Sequence, residues 1–427
     1  MQSIAIVGTG VAGLTCAWYL KDLYRISLYE REDYPGGHTH TVEIEENGKS
    51  IPVDTGFMVF NDPTYPNINR MFDELQVPSV NTDMSFGVHD TLKGSYYTSH
   101  GFNGFFACRK NLIRPSHWKL ASGIKKLFET ANRFVDAASD HRMTVAEFFE
   151  QTGLDPSVAR DFLLPMASAI WSTHGQRITD YPALSLFRFM RNHGLLGIGT
   201  QFQWKTIPGG SKVYRDKILS ALETPPMLNR PVYAVTREHQ GVRVMDKSGN
   251  SERFDYCIVA THADEALALL PEPLPIEHDL LSCFQYSTNR AILHCDASVL
   301  PPAKRAWVSW NYRLDGHSDG LPRASTHYWM NRLQPLGTTT PWIVSIDYPG
   351  SLNPDLVRWQ QDYKHPSFDP ASVEAQEKLP SLNEQGPIFY CGSYFRYGFH
   401  EDAHVAGLQV VKALKNRLGL DHEILPV

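Results

Sequence analysis

Apolar positions along this chain repeat with different periods in different places, and the change of period marks the elements. "SIAIVGTGVAGLTCAWYLK" (3–21) opens with an unbroken run of Ile, Ala and Val, which predicts a strand buried on both faces. The run stops at Gly8-x-Gly10-x-x-Gly13, and helical spacing follows over 14–21. "RISLYE" (25–30) predicts a second strand ending in an acid, Glu30. "RPVYAVTREHQGVRVMDKSG" (230–249) alternates apolar and polar residues around a turn, the pattern of a β-hairpin. "FDYCIVATHADEALAL" (254–269) reads as a buried strand over 257–260 followed by a helix. "TVAEFFEQTGL" (144–154) has helical spacing, with Thr144 placed as the cap and Glu147 three residues on. "RAILHCD" (290–296), "RAWVSWNY" (305–312), "STHYWMNRL" (325–333) and "PWIVSIDY" (341–348) all read as strands. Proline-rich stretches near 271–275 and 363–370 suggest connections between structural units.

The first thirty residues carry chemistry. Strand, glycine triplet, helix, strand and acid in that order form a βαβ dinucleotide unit. In it one glycine makes a tight turn, the second lets the backbone approach a pyrophosphate, and the third brings helix and strand together. The helix N-terminus faces the phosphates, and the carboxylate of Glu30 falls where a ribose hydroxyl is held. An acid there disfavours a 2′-phosphate, which leaves FAD or NAD as the ligand.

Composition narrows the rest. The 427 residues are 42% hydrophobic and 20% charged, enough for a full core in two or three units. A net charge of −6 gives no general attraction for polyanions, so nucleic acid is not an expected partner. The six cysteines include no C-x-x-C pair, which suits reduced thiols in a cytoplasmic protein. No signal sequence and no membrane-spanning apolar stretch is visible.

Further motifs decide between the two dinucleotides. "EREDYPGGHTHTV" (30–42) resembles the second glycine motif of the flavin amine oxidase, protoporphyrinogen oxidase and phytoene desaturase superfamily, and "VDTGFMVF" (53–60) its next element, an Asp-x-Gly turn near the flavin. "IPGGSKVYRDKI" (207–218) is similar to the segment that returns the chain to the nucleotide domain, and Val232 matches the position whose backbone meets adenine. "PIFYCGSYFRYGFHEDAHVAGLQVVKAL" (387–414) resembles the C-terminal flavin motif. Within the superfamily the chain is most similar to the bacterial group described as predicted NAD/FAD-binding proteins. Tyr34 and His38 stand where the family carries basic residues, with His38 a candidate substitute for an arginine.

The resemblance implies an α/β fold: a Rossmann-like FAD-binding domain of the GR2 type, from 1–79, 206–269 and 386–427. An inserted mixed α+β substrate domain comes from 80–205 and 270–385. It implies non-covalent FAD held by Gly8, Thr9, Gly10, Val11, Ala12 and Gly13, by Glu30 and Arg31, and by Gly36, Gly37, His38 and Thr39. Thr55, Gly56, Phe57, Val232 and Thr261 follow, and at the C-terminal end Gly392, Ser393, Phe399, His400, Glu401 and Ala403.

"HEDAH" (400–404) also spells the H-E-x-x-H of zinc proteases, with Glu423 as an imaginable third ligand. A chain ending four residues after Glu423 leaves little to orient that ligand, and Glu401 and Asp402 are favoured in a first helical turn in any case. His38-x-His40 has no carboxylate cluster beside it, so no metal is expected.

The insertions are rich in aromatics: Trp171, Phe187, Phe189, Trp204, Trp307, Trp310, Tyr328, Trp329, Trp342 and Tyr348. Each alone suits a core; together they suit a cavity for a small hydrophobic substrate. His294 and Tyr348 are the candidates for proton transfer, with a satisfied core histidine as the competing reading of His294. In "GFNGFFACRKNLIRPSHWKLASGIKKLFE" (101–129) six basic residues precede the first acid, interleaved with aromatics. That is either a peripheral contact with the inner face of a membrane or an amphipathic helix pair with a solvated basic face. Three functions stay open: FAD-dependent dehydrogenation or desaturation of an acyl lipid or isoprenoid, oxidation of an amine with release of peroxide, and non-catalytic flavin or lipid binding. Oligomeric state and electron acceptor are not legible.

Overall fold

A computed structural model describes residues 1–137, 142–171, 178–316, 322–384 and 386–420. A four-stranded parallel sheet runs in the order Ile388–Tyr390, Tyr256–Val259, Ser3–Val7, Arg25–Tyr29. Its strands come from three separated stretches of chain. Ile4, Ala5 and Ile6 are fully buried, which explains an unbroken apolar run where a half-exposed strand would alternate. Burial of each large aliphatic side chain contributes about 1.5–3 kcal/mol. The helices Val11–Leu20 and His400–Arg417 pack against each other beside this sheet. Their close approach depends on Gly407, where a Cβ would stand 2.9 Å from the Ala12 carbonyl oxygen and 3.0 Å from Thr15 Cβ.

The predicted hairpin is present as Val232–Arg237 and Val242–Asp246, extended by Ser251–Phe254 into a three-stranded meander. The helix Val145–Thr152 is capped as its sequence requires, Thr144 accepting from the Glu147 amide while the Glu147 carboxylate accepts from the Thr144 amide.

A seven-stranded sheet draws every strand from 80–205 and 270–385. Its order is Val357–Ser367, Gln285–His294, Ile343–Ile346, Pro322–Trp329, Trp310–Gly316, Phe86–Asp90, Ser95–Thr98, antiparallel except where Trp310–Gly316 meets Phe86–Asp90. The helices Pro115–Ala137, Leu164–Trp171 and Ala183–Asn192 belong to the same stretches.

Two strand expectations and one connection need correction. Residues 305–309 do not join the strand that starts at Trp310, because Lys304–Ala306 forms a 3₁₀ turn stabilised by backbone bonds. Residues 330–333 leave their strand for a short helix. The stretch 363–367 is no connection: it finishes the edge strand Val357–Ser367, where Pro366 is tolerated because an edge has one unpaired side.

Candidate functional site

A cavity of about 710 Å³ lies where the carboxyl ends of the parallel strands meet the seven-stranded sheet. Its nucleotide wall comes from the loops of the parallel sheet and from the edge strand Val357–Ser367; the opposite wall is apolar.

On the nucleotide wall the three glycines of the first motif have separate tasks. Gly8 has φ +104°, and a Cβ at Gly13 would stand 2.0 Å from the Gly8 carbonyl oxygen, so helix and turn touch only because Gly13 has no side chain. At Gly10 a Cβ would meet no protein atom within 4 Å; this is open space beside a helix N-terminus, the cradle a diphosphate needs. Glu30 is buried at the strand end. One of its carboxylate oxygens accepts from the Thr9 amide (3.1 Å) and the Thr9 hydroxyl, the other from the amides of Arg31 (2.8 Å) and Glu32 (3.1 Å). The Thr9 hydroxyl also accepts from the Gly36 amide at 2.9 Å, which ties the first glycine loop to the second. Gly37 then lies against Gly10, its notional Cβ 3.4 Å from Gly10 Cα.

Of the residues implied by the sequence, Gly8, Thr9, Gly10, Val11, Ala12, Glu30, Arg31, Gly37, His38, Thr55, Gly56, Phe57, Val232, Thr261, Gly392, Ser393, Phe399, His400 and Ala403 line the cavity. Gly13, Gly36, Thr39 and Glu401 do not, and the structure assigns them supporting positions. Thr39 is bonded to the Tyr214 hydroxyl and to His400 Nε2 (3.1 Å). Glu401 accepts from the amides of Asn67 and Ile68 (3.0 Å each) and from Asn67 Nδ2 (2.7 Å), which caps the helix Pro66–Glu74.

The HEDAH spelling thus resolves into three packing tasks. Glu401 caps a neighbouring helix, His400 stacks on Phe57 with ring centroids 3.8 Å apart, and His404 Nδ1 lies 2.7 Å from the Thr15 hydroxyl. Glu423 lies outside the described residues.

Imidazoles crowd the nucleotide wall. His38 stacks on Tyr363 at 4.9 Å and stands 5.3 Å from His365 and 6.3 Å from His262, ring to ring. Burial, then the neighbouring imidazoles, hold His38 well below the ordinary histidine range, and burial brings His365 to about 4 and His400 to about 3. His38 Nε2 is buried without a hydrogen-bond partner among the described residues. A polar atom in that state is costly to keep, so it fits a site that presents it to a ligand. The donor set, the open cradle at Gly10 and the two helix N-termini that open at Val11 and His400 together fit a dinucleotide cofactor.

The apolar wall carries Met58, Met84, Phe86, Met166, Trp171, Phe189, Trp204, Trp310, Tyr328 and Ile346. Five of the ten aromatics singled out by sequence are therefore on it. Phe187 and Trp342 are core, and Trp307, Trp329 and Tyr348 pack on the other face of the seven-stranded sheet with Val299, Leu300 and Ile343.

The two residues expected to transfer protons are not at the cavity. His294 is fully buried, with Nε2 2.6 Å from the Ser345 hydroxyl and Nδ1 accepting from the Asp296 amide at 3.1 Å. His294 pairs in register with Ile343, a residue of the far face. Tyr348 would share the parity of Ile346 in a continuous strand, but Asp347 has φ +54° and rotates it away, to 5.3 Å from His327. Asp347 is held in that conformation by the Arg290 amide on its carboxylate (2.8 Å) and by its own amide on the Arg290 carbonyl (2.9 Å).

His193 stands in no motif of the sequence. It lines the cavity, stacks on Phe189 at 3.8 Å and bonds the Phe189 carbonyl through Nδ1 at 2.9 Å. A carbonyl only accepts, so Nδ1 carries the hydrogen and Nε2 of the neutral ring is the acceptor. Burial brings the ring to about 4. Its place just past the helix Ala183–Asn192, four positions after a buried phenylalanine, is the available signal, and it does not distinguish a cavity from a core.

Comparison with known proteins decides the family. The model for flavin containing amine oxidoreductase matches residues 11–312. The chain belongs to that family. Its cofactor is FAD, and its architecture is the Rossmann-like flavoprotein fold with a second unit. L-amino-acid oxidase of Siganus canaliculatus is 25% identical over 326 residues, 71% of this chain and 57% of that protein. The 15-cis-phytoene desaturase of Arabidopsis thaliana is 26% identical over 184 residues, 39% of this chain and 31% of that one. The chain thus spans about half or less of these relatives' length. Among solved structures, a CLA-producing fatty acid isomerase from P. acnes has a TM-score of 0.67 at 16% identity, covering 97% of this chain and 98% of that one. Cyclohexylamine oxidase from Brevibacterium oxydans has a TM-score of 0.69 at 15% identity, covering 98% and 99%. These two likenesses establish a shared fold.

Proposed function

We propose that this protein is an FAD-dependent oxidoreductase that dehydrogenates or desaturates an apolar substrate, an acyl lipid or an isoprenoid. The carrying observation is the composition of the apolar wall: among the described residues, the carboxylates lining the cavity are Glu30, Glu32, Glu265 and Asp362, all on the nucleotide wall. Nothing acidic on the apolar wall would hold an ammonium ion, whereas its methionines and aromatics favour hydrocarbon.

The nucleotide wall would hold the cofactor through Gly8–Gly10, Glu30, Gly37 and Val232, and the start of the helix His400–Arg417 would face negative charge. Bound FAD supplies the hydride acceptor. The remaining work belongs to the chain. Trp171, Phe189, Trp310 and Tyr328 exclude water and orient hydrocarbon, and His193 Nε2 accepts a hydrogen bond or a proton from the substrate.

The second reading, amine oxidation with peroxide release, draws on the perpendicular ring pair Trp310–Tyr328, 5.7 Å apart, which suits a neutral amine. The test is anaerobic mixing of flavin-loaded protein with fatty acids, isoprenoids and primary amines. Bleaching of the flavin band by lipid supports the first reading. Bleaching by amines alone moves the assignment to the second, and no bleaching by any of them sinks both.

None of the six cysteines lines the cavity among the described residues, which supports non-covalent FAD, released on denaturation. The division into an FAD-binding domain (1–79, 206–269, 386–427) and a substrate domain (80–205, 270–385) is supported by the four-stranded and seven-stranded sheets, each drawing its strands from one set of segments, while a small sheet of Phe60–Asn61, Trp204–Thr206 and Val80–Thr82 joins the two sets. A peripheral contact with the inner, cytoplasmic face of a membrane is supported by Phe102, Ile113 and Trp118, 63%, 86% and 48% exposed, beside Arg109, Lys110 and Arg114. No helix among the described residues is long and apolar enough to cross a membrane. Sedimentation with phosphatidylglycerol vesicles at low salt, lost at high salt, is the expected result; no sedimentation at low salt discards the contact.

A further inference from the structure

We propose that His38, with His262 and His365 beside it, forms a proton-accepting anion site for the diphosphate of the cofactor, so that FAD binds together with a proton and binds less tightly as pH rises. The proposal rests on the flavin reading of the cavity.

Three observations carry it. His38 directly follows Gly37, which lies against Gly10, so its ring stands beside the open cradle of the first glycine loop. Its Nε2 is buried in the cavity lining with no protein partner among the described residues, and His262 and His365 surround it. Three of the four fixed cations lining this wall are already engaged. Arg31 bridges Glu265 (2.6 Å) and Glu32 (2.8 Å), Lys364 bridges Asp264 (3.3 Å) and Glu265 (3.5 Å), and Arg230 bridges Asp246 (2.8 Å). Lys247 also lines the wall, with its backbone bonded to Pro231 at the adenine-side strand. Two negative charges brought to the cradle are therefore met by Lys247 as the one lining cation outside an ion pair among the described residues, and by imidazoles as the groups able to become positive.

Several groups face His38. Its own segment offers His40, brought to about 4 mainly by burial, and the loop after Arg25–Tyr29 offers Arg31. His262, Asp264 and Glu265 stand at the turn into the helix Ala263–Ala268, Tyr363, Lys364 and His365 on the edge strand, and His400 on the C-terminal helix. Without a ligand burial, and after it the neighbouring imidazoles, keep His38 uncharged. An anion within a few ångströms reverses that balance, because an opposite charge favours the charged form while the desolvation cost is unchanged. Lost arginine-like charge is thus replaced by charge that arrives with the ligand.

The experiment is titration of the apoprotein with FAD between pH 6 and 8, followed by flavin fluorescence, with calorimetry in two buffers of different ionisation enthalpy to count protons. Uptake of one proton weakens Kd about tenfold per pH unit while the bound form stays protonated. ADP-ribose, which carries the same diphosphate diester without the flavin, is expected to show the same slope, and adenosine none. His38→Gln should bind FAD weakly with a flat profile, and His38→Arg should recover affinity and stay flat. FAD binding that is equally tight at pH 6 and pH 8 with no proton taken up overturns the proposal and leaves the flavoprotein reading standing. Failure to bind FAD at any pH overturns the flavoprotein reading itself.

Discussion

The two walls of the cavity are built on different rules. The nucleotide wall presents backbone: glycines that leave a cradle, amides at helix starts, and one carboxylate held at a strand end by Thr9 and two amides. The apolar wall presents side chains from helices, loops and the seven-stranded sheet, and in the sheet parity selects them: Tyr328 and Ile346 face the cavity while Trp329 and Ile343 face away. Backbone constraints allow few residue types, so they are written in the sequence. Parity depends on every bulge and every positive φ upstream, and it is not.

The largest effect is expected where that backbone rule is broken. In Gly13→Val any Cβ meets the Gly8 carbonyl oxygen at 2.0 Å, a contact only a backbone shift can relieve; overpacking alone costs about 1–3 kcal/mol, and moving helix from strand adds to it. The expected outcome is a sharply lowered Tm and no retained flavin. Gly10→Ala sharpens the point, since its Cβ meets no protein atom: Tm should hold while FAD affinity falls about tenfold or more. Equal Tm losses for the two variants would remove the distinction between a packing glycine and a ligand-facing one.

Acid probes the imidazoles of both walls. The folded chain holds His400 near 3 and His193 near 4, below the ordinary value of about 6.5. The unfolded chain therefore binds more protons over that interval. The stability these neutral rings contribute is complete above about pH 6.5 and lost as pH falls toward 3 to 4, at up to about 1.4 kcal/mol per pH unit per ring. Tm should fall steeply between pH 6.5 and 4.5. Flavin-loaded protein should fall less than apoprotein, because an anion on the nucleotide wall favours protonated imidazole there and does nothing for His193.

His193→Phe tests the apolar wall by itself. Phenylalanine preserves the stack on Phe189 and removes Nε2, so flavin content and Tm should stay near wild type while substrate-driven flavin reduction slows about 10²-fold. An unchanged rate would remove His193 as the proton-handling group of the apolar wall.

How much was legible follows from the same contrast. The glycine loops, Glu30, the hairpin, the capped helix at Thr144 and the C-terminal motif were all readable, because each is a local pattern with one physical solution. Thr39 and Glu401 were recognised as belonging to the site but not as supports, since their partners Tyr214 and Asn67 are far away in sequence. His193, His262 and His365 carried no local mark. His294 stands alone among apolar strand residues and Tyr348 at a strand end, marks that suit proton transfer and a satisfied core polar group equally. In fact His294 joins Ser345, His327 and Ser325 in a buried polar chain on the far face of the sheet.

That far face yields the smallest expected effect and the sharpest check on parity. Tyr348→Phe removes a hydroxyl on the side away from the cavity, and His294→Gln keeps a partner for Ser345. Both variants should reduce their flavin within twofold of the wild-type rate, and His294→Gln alone should lower Tm, because the bond that His294 Nε2 donates to Ser345 is buried and its distortion costs about 1–3 kcal/mol. A tenfold slower reduction in either variant at unchanged flavin content would mean that the seven-stranded sheet transmits to the cavity from its far face. The parity argument would then describe where these side chains sit without describing what they do.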